Sequence, residues 1–221
     1  MIEMIINTRI VEPKDWVTLL FIFSLVLIAF TRTAFETRFS DFLKILVSDK
    51  YIKVYKDSSH LMSGFTILLF VVQIISISLF LQILLDHYGY ISKYDWISFL
   101  RIVTFFSVFV LSKYLIEKII AVTFKFEEFV EQYNLLKVSY RTFLSLVLLP
   151  ISIFLFYNKY YSDSLIYIII IIILVINILT YLISLKNYQN LIISNIFYFI
   201  LYLCALEIAP YYFMYYLITK L

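Results

Sequence analysis

The sequence predicts an all-α protein: a polytopic helical membrane protein of about six transmembrane helices, plus a cytoplasmic interfacial amphipathic helix. Three observations predict it. The 221 residues are 63% hydrophobic, with a mean hydropathy of +0.96, whereas soluble domains run at about 45–50% apolar. The apolar residues fall in long runs, not in the short alternating segments and frequent turns of a transmembrane barrel. Only two glycines and three prolines punctuate them, against 20 tyrosines and 22 phenylalanines.

Taken in order, Met1 to Asp15 is polar and mixed in charge. It lacks the basic n-region, short apolar stretch and small-residue cleavage site of a secretory signal. The first span is therefore expected to target the chain and stay. A span needs about 20 apolar residues, and six stretches qualify or nearly so. Residues 16–33 open on Trp16, suited to a membrane interface. Residues 61–85 and 97–123 follow. Residues 142–157 are short and interrupted by Pro150. Residues 165–185 are the cleanest, with an isoleucine run from Ile168 to Ile173. Residues 191–217 close the series. No internal repeat or linker divides the chain, so 1–221 reads as one integral membrane domain.

Orientation follows from Lys and Arg in short loops. Arg32, Arg38, Lys44, Lys50, Lys53, Lys56, Lys125, Lys137, Arg141 and Lys186 make ten on one side. Arg9, Lys14, Lys93, Lys159 and Lys220 make five on the other. The bias puts both termini outside and loops one, three and five in the cytoplasm.

Loop one is patterned. Phe35, Phe39, Phe42, Leu43 and Leu46 share one helical face, with Glu36, Arg38, Asp41 and Lys44 around the rest. The spacing predicts an inner-leaflet helix over 33–46, continued by a basic and aromatic stretch holding Lys50, Lys53 and Lys56. Two roles stay open: a helix that anchors the fold, or a docking surface for a partner or anionic lipid built from Phe35, Arg38, Phe39, Phe42, Lys44, Lys50, Lys53 and Lys56. In loop three, Phe126, Val130, Tyr133 and Leu136 also keep helical spacing beside Glu127, Glu128 and Glu131. Span three is expected to run on into this loop as one long helix, with Lys113 and Glu117 paired at i, i+4.

The residue inventory argues against most chemistry. Cys204 is the only cysteine, and His60 and His87 are the only histidines. The threading puts the two histidines on opposite sides, so no metal centre is expected. Gly64 and Gly89 cannot build a phosphate-cradling loop. No nucleophile elbow, kinase set or zincin motif is present. The net charge of +3 is spread over loops and makes no nucleic-acid footprint. Neither enzyme activity nor a cofactor is expected.

Polar groups inside the spans are Gln73, Gln82, Arg101, Lys113, Glu117, Asn177, Asn195 and Glu207. Glu207 stands out, because a carboxylate at membrane depth is costly and usually has a partner. Pro210, three residues on, cannot bond the carbonyl of Leu206, which predicts a kink. Arg101 is the only basic residue in the outer half of a span, and an ionised Glu207 would pair with it. A neutral Glu207 would instead use Tyr211, which with Cys204 shares its helical face.

The stretch from Thr31-Arg32 to Phe42, Tyr133-Asn134, Pro150, and Tyr202-Leu203-Cys204-Ala205-Leu206-Glu207-Ile208-Ala209-Pro210 carry a resemblance. The chain resembles an uncharacterised family of multi-span inner-membrane proteins of Bacteroidota, a domain of unknown function, over almost its whole length. The resemblance implies an inner-membrane location and this span layout. It brings no reaction, ligand or catalytic residue. It makes an accessory role in secretion or gliding machinery of the envelope thinkable. The expected partners are the lipid bilayer and other membrane or envelope proteins, not nucleic acid. The expected function is that of a non-enzymatic inner-membrane subunit or assembly partner of an envelope complex; the alternative is a small transporter or channel that uses Glu207.

Overall fold

The computed structural model describes residues 14–45, 51, 54–55, 63–123, 127–158 and 162–187. Six helices make up the described chain: α1 (Asp15–Ala34), α2 (Glu36–Leu43), α3 (Gly64–His87), α4 (Trp96–Thr123), α5 (Glu127–Tyr157) and α6 (Asp163–Asn187). Among the described residues, α1, α3, α4 and residues 134–157 of α5 are long and apolar enough to cross a membrane, and α6 is apolar through Leu179. The chain is all-α with the make-up of a polytopic membrane protein. The expected span 191–217 lies outside the described residues.

Helix ends follow local chemistry. Asp15 in the first turn of α1 and Arg32 in its last complement the helix dipole. The chain bends at Phe35, whose N–H still reaches the carbonyl of Thr31, and enters α2 directly. α3 stops at Gly89, where φ is +76°. There Gly89 N–H bonds the carbonyl of Asp86 and Tyr90 N–H that of Leu85, the paired bonds that close a helix through a left-handed glycine. Asp95 caps α4, accepting from Ile97 N–H at 3.0 Å and from the Ser98 hydroxyl at 2.6 Å.

α3 is the most enclosed span and α4 the least. α3 shares its longest seam with α5 and packs also on α1 and α4. Hydrocarbon solvates apolar side chains as well as protein does, so packing and interhelical hydrogen bonds must hold such a seam. Ser76 donates to the carbonyl of Ser145 at 2.8 Å, and Thr142 to Gln73 Oε1 at 2.9 Å. One core cluster joins Val17 and Phe21 of α1, Leu79 and Ile83 of α3, Phe99 of α4 and Leu149 and Phe156 of α5. Trp16, Tyr94, Trp96 and Tyr157 gather at the same end. Trp16 stacks edge-on to Trp96 at 5.0 Å and donates to the carbonyl of Tyr94. Tyr157 meets the Thr18 hydroxyl.

Three sequence expectations are corrected. The fourth span is neither short nor broken by Pro150: α5 runs uninterrupted from Glu127 to Tyr157. By length and composition its candidate membrane stretch is residues 134–157, which includes Lys137 and Arg141 and is longer than the expected 142–157. The helical pattern of loop three belongs to α5 and not to an extension of span three. Lys137 and Arg141 accordingly sit in a helix, not a connecting loop. Finally, α2 does not turn its aromatic stripe to lipid. Phe39 and Phe42 are buried against Phe65 and Leu69 of α3 and Leu136 and Tyr140 of α5. The stripe serves packing because α2 lies across the ends of two spans. Leu43 faces outward, and Leu46 lies outside the described residues.

Candidate functional site

The sequence-predicted intramembrane cluster is only partly in view. Glu207, Tyr211, Cys204 and Pro210 lie outside the described residues. Arg101 is exposed on α4, six residues beyond Asp95. The Ser98 hydroxyl bond holds the Asp95 carboxyl below its usual range; the backbone N–H groups of Ile97 and Ser98 and the Arg101 charge act in the same sense. Pro150 faces outward inside α5.

Of the expected docking residues, Lys44 is exposed and Phe35 half-buried, while Lys50, Lys53 and Lys56 lie outside the described residues. Arg38, Phe39 and Phe42 face the protein. Arg38 is only 7% exposed. Its guanidinium lies over Phe65 at 4.7 Å and Tyr55 at 4.9 Å, and donates to the Ser63 hydroxyl at 2.7 Å and to Thr66. This is an aromatic box around a cation. It ties α2 to the first turn of α3. Burial raises the Tyr51 hydroxyl above its usual pKa, against the pull of Arg38.

A second polar group is interhelical. Lys137 of α5 donates to Glu117 of α4 at 3.3 Å, with the Glu117 side chain 5% and the Lys137 side chain 19% exposed. The i, i+4 reading of Lys113 and Glu117 does not include this partner. One turn further into the spans, Lys113, Arg141 and Asn177 line a cavity of about 370 Å³ between α3, α4, α5 and α6. Sequence reading placed Lys137 and Arg141 in a loop and so missed this layer. The signal was there: Asn134, Lys137, Arg141, Ser145 and Ser152 recur at helical intervals of three, four, four and seven.

His87 lies 3.4 Å from the exposed Asp163 and edge-on to the Tyr88 ring, and His60 lies outside the described residues. Among the described residues no group of three or more His, Cys, Asp or Glu could hold a metal.

Comparison with known proteins supplies the family and nothing finer. No curated protein and no solved structure matches the chain. A domain of unknown function (DUF4271) matches residues 17–218, from the start of α1 to the end of the last apolar run. The chain, with its aromatic-capped apolar helices and its Arg38 box, belongs to the DUF4271 family.

Proposed function

We propose that this protein is a non-enzymatic inner-membrane subunit or assembly partner of a cell-envelope complex, with both termini outside the cytoplasm. One observation carries the reading. Several polar side chains within the described spans bond to one another or to nearby backbone, as in Gln73–Thr142, Ser76–Ser145, Glu117–Lys137 and Gln82 Nε2 to the carbonyls of Ser92 and Asp95. A transport path needs polar groups facing a common lumen at successive depths. Among the described residues, the cavity lined by Lys113 and Arg141 has its cations at similar depths, and the rest of its wall is mainly apolar. Among the described residues, a surface suited to other proteins is the outer face of α4, the least covered candidate span, where Arg101, Thr104, Ser112 and Lys118 interrupt an apolar face.

The orientation is supported by charge. Arg32, Arg38, Lys44, Lys113, Lys118, Lys137 and Arg141 belong to one end of the bundle, whereas Lys14, Lys93 and Arg101 belong to the aromatic end. Basic residues favour the cytoplasmic side.

Extraction from native membranes in mild detergent tests the proposal. A membrane protein partner should be retained in fixed ratio, and secretion and gliding machineries are the complexes to examine first. A lone, monodisperse chain that moves protons across vesicles in a Glu207-dependent way would overturn it. That result would favour the small transporter or channel reading.

A further inference from the structure

We propose that the cavity between α3, α4, α5 and α6 binds an anionic phospholipid, its phosphate at Lys113 and Arg141 and one acyl chain in the aromatic cleft beyond them. Depth, charge and shape agree. Trp96, Tyr157 and Asp163 stand at the aromatic end of the bundle. Counting helical residues from each, Lys113 lies 17 along α4, Arg141 16 along α5 and Asn177 14 along α6. At about 1.5 Å per residue these are depths of roughly 26, 24 and 21 Å. A hydrocarbon core is about 30 Å thick, so the three polar groups start roughly 4–9 Å from the opposite headgroup boundary, and the long Lys113 and Arg141 side chains can span that gap. The apolar lining lies on the aromatic side of that level: Phe106 and Ile173 are about 15 Å from the aromatic end and Leu148 about 14 Å.

No acidic side chain lines the cavity among the described residues. Its volume of about 370 Å³ falls within the range of ligand pockets, about 300–1,000 Å³. A phosphate can accept from the Arg141 fork and from the Lys113 ammonium, and Asn177 adds a third polar contact at the same level. A free anion would match the positive charge at this level but leave the long apolar cleft unexplained. An acyl chain attached to that anion accounts for both.

The test places a reporter in the cleft. The full chain carrying Phe109→Trp is reconstituted in phosphatidylcholine vesicles with graded brominated phosphatidylglycerol, and the signal of Trp16 and Trp96 in the parent is subtracted. Each basic side chain near an anionic headgroup contributes about 1 kcal/mol, or roughly fivefold. Brominated phosphatidylglycerol should therefore quench with an apparent affinity at least fivefold above brominated phosphatidylcholine. Arg141→Gln should lower the ratio about fivefold, and Arg141→Lys should keep most of it. A ratio near one in the Phe109→Trp chain overturns the proposal, whether or not Arg141→Gln folds. Quenching by neither lipid overturns it too, because protein would then fill the cleft. Displacement by millimolar inorganic phosphate without loss of folding would show an anion site and overturn the lipid assignment.

Discussion

Breaking the Glu117–Lys137 pair should cost far more than removing it. At 3.3 Å and an effective dielectric constant of about 20, Coulomb attraction is roughly 5 kcal/mol. Withdrawing each ion from water opposes this by several kcal/mol, so the pair comes out near balance against apolar replacements. Removing one partner takes away the attraction and leaves the other charge buried, at a cost of about 3–5 kcal/mol. The two ends differ. Lys137 is more exposed and long enough to turn toward water, so Glu117→Gln should cost about 2 kcal/mol, the lower figure reflecting that escape. Glu117 cannot turn away, so Lys137→Met should cost about 3 kcal/mol. The double variant should lie within about 1 kcal/mol of the parent, a coupling well beyond the roughly 0.5 kcal/mol of additive sites. Reversible unfolding of the full chain in mixed micelles, followed by circular dichroism, measures all four. Losses that simply add in the double variant would refute the interhelical pair.

Arg38→Met should lower stability by about 2 kcal/mol, the value of a desolvated cation–π contact, before its charged hydrogen bonds are counted. Arg38→Lys should recover only part, because an ammonium cannot both fork to Ser63 and Thr66 and stack on Phe65; limited proteolysis after Phe42 would report release of α2. Asp95 gives a pH signature. Its folded pKa is depressed below 3.8, so its stabilising effect is present above that value and fades as pH falls through the lower folded value. The stability gap between parent and Asp95→Asn should therefore be constant near neutrality and close in that acid window; a gap that widens there would contradict the cap. Reporter fusions should find the C-terminus outside and the segment after α2 inside; a cytoplasmic C-terminus would overturn the orientation or the count of six spans.

What the sequence determined by itself was the solvent of each segment. Hydropathy is a local property, so α1, α3, α4 and α6 begin and end within about three residues of where the apolar runs put them. The Phe35, Phe39 and Phe42 stripe likewise announced a helix, since periodicity survives without knowledge of neighbours. The tertiary structure alone decided what each face touches. The same stripe suits lipid or protein equally, and only the crossing of α2 over α3 and α5 buried it and boxed Arg38 between aromatic rings. Lys137 and Arg141 look like the end of a span when read alone. They become part of one when Glu117 on a different helix supplies a partner and four helices leave a cavity at their level. Charge in a membrane is tolerated according to its neighbours, and neighbours twenty or more residues apart are set by packing.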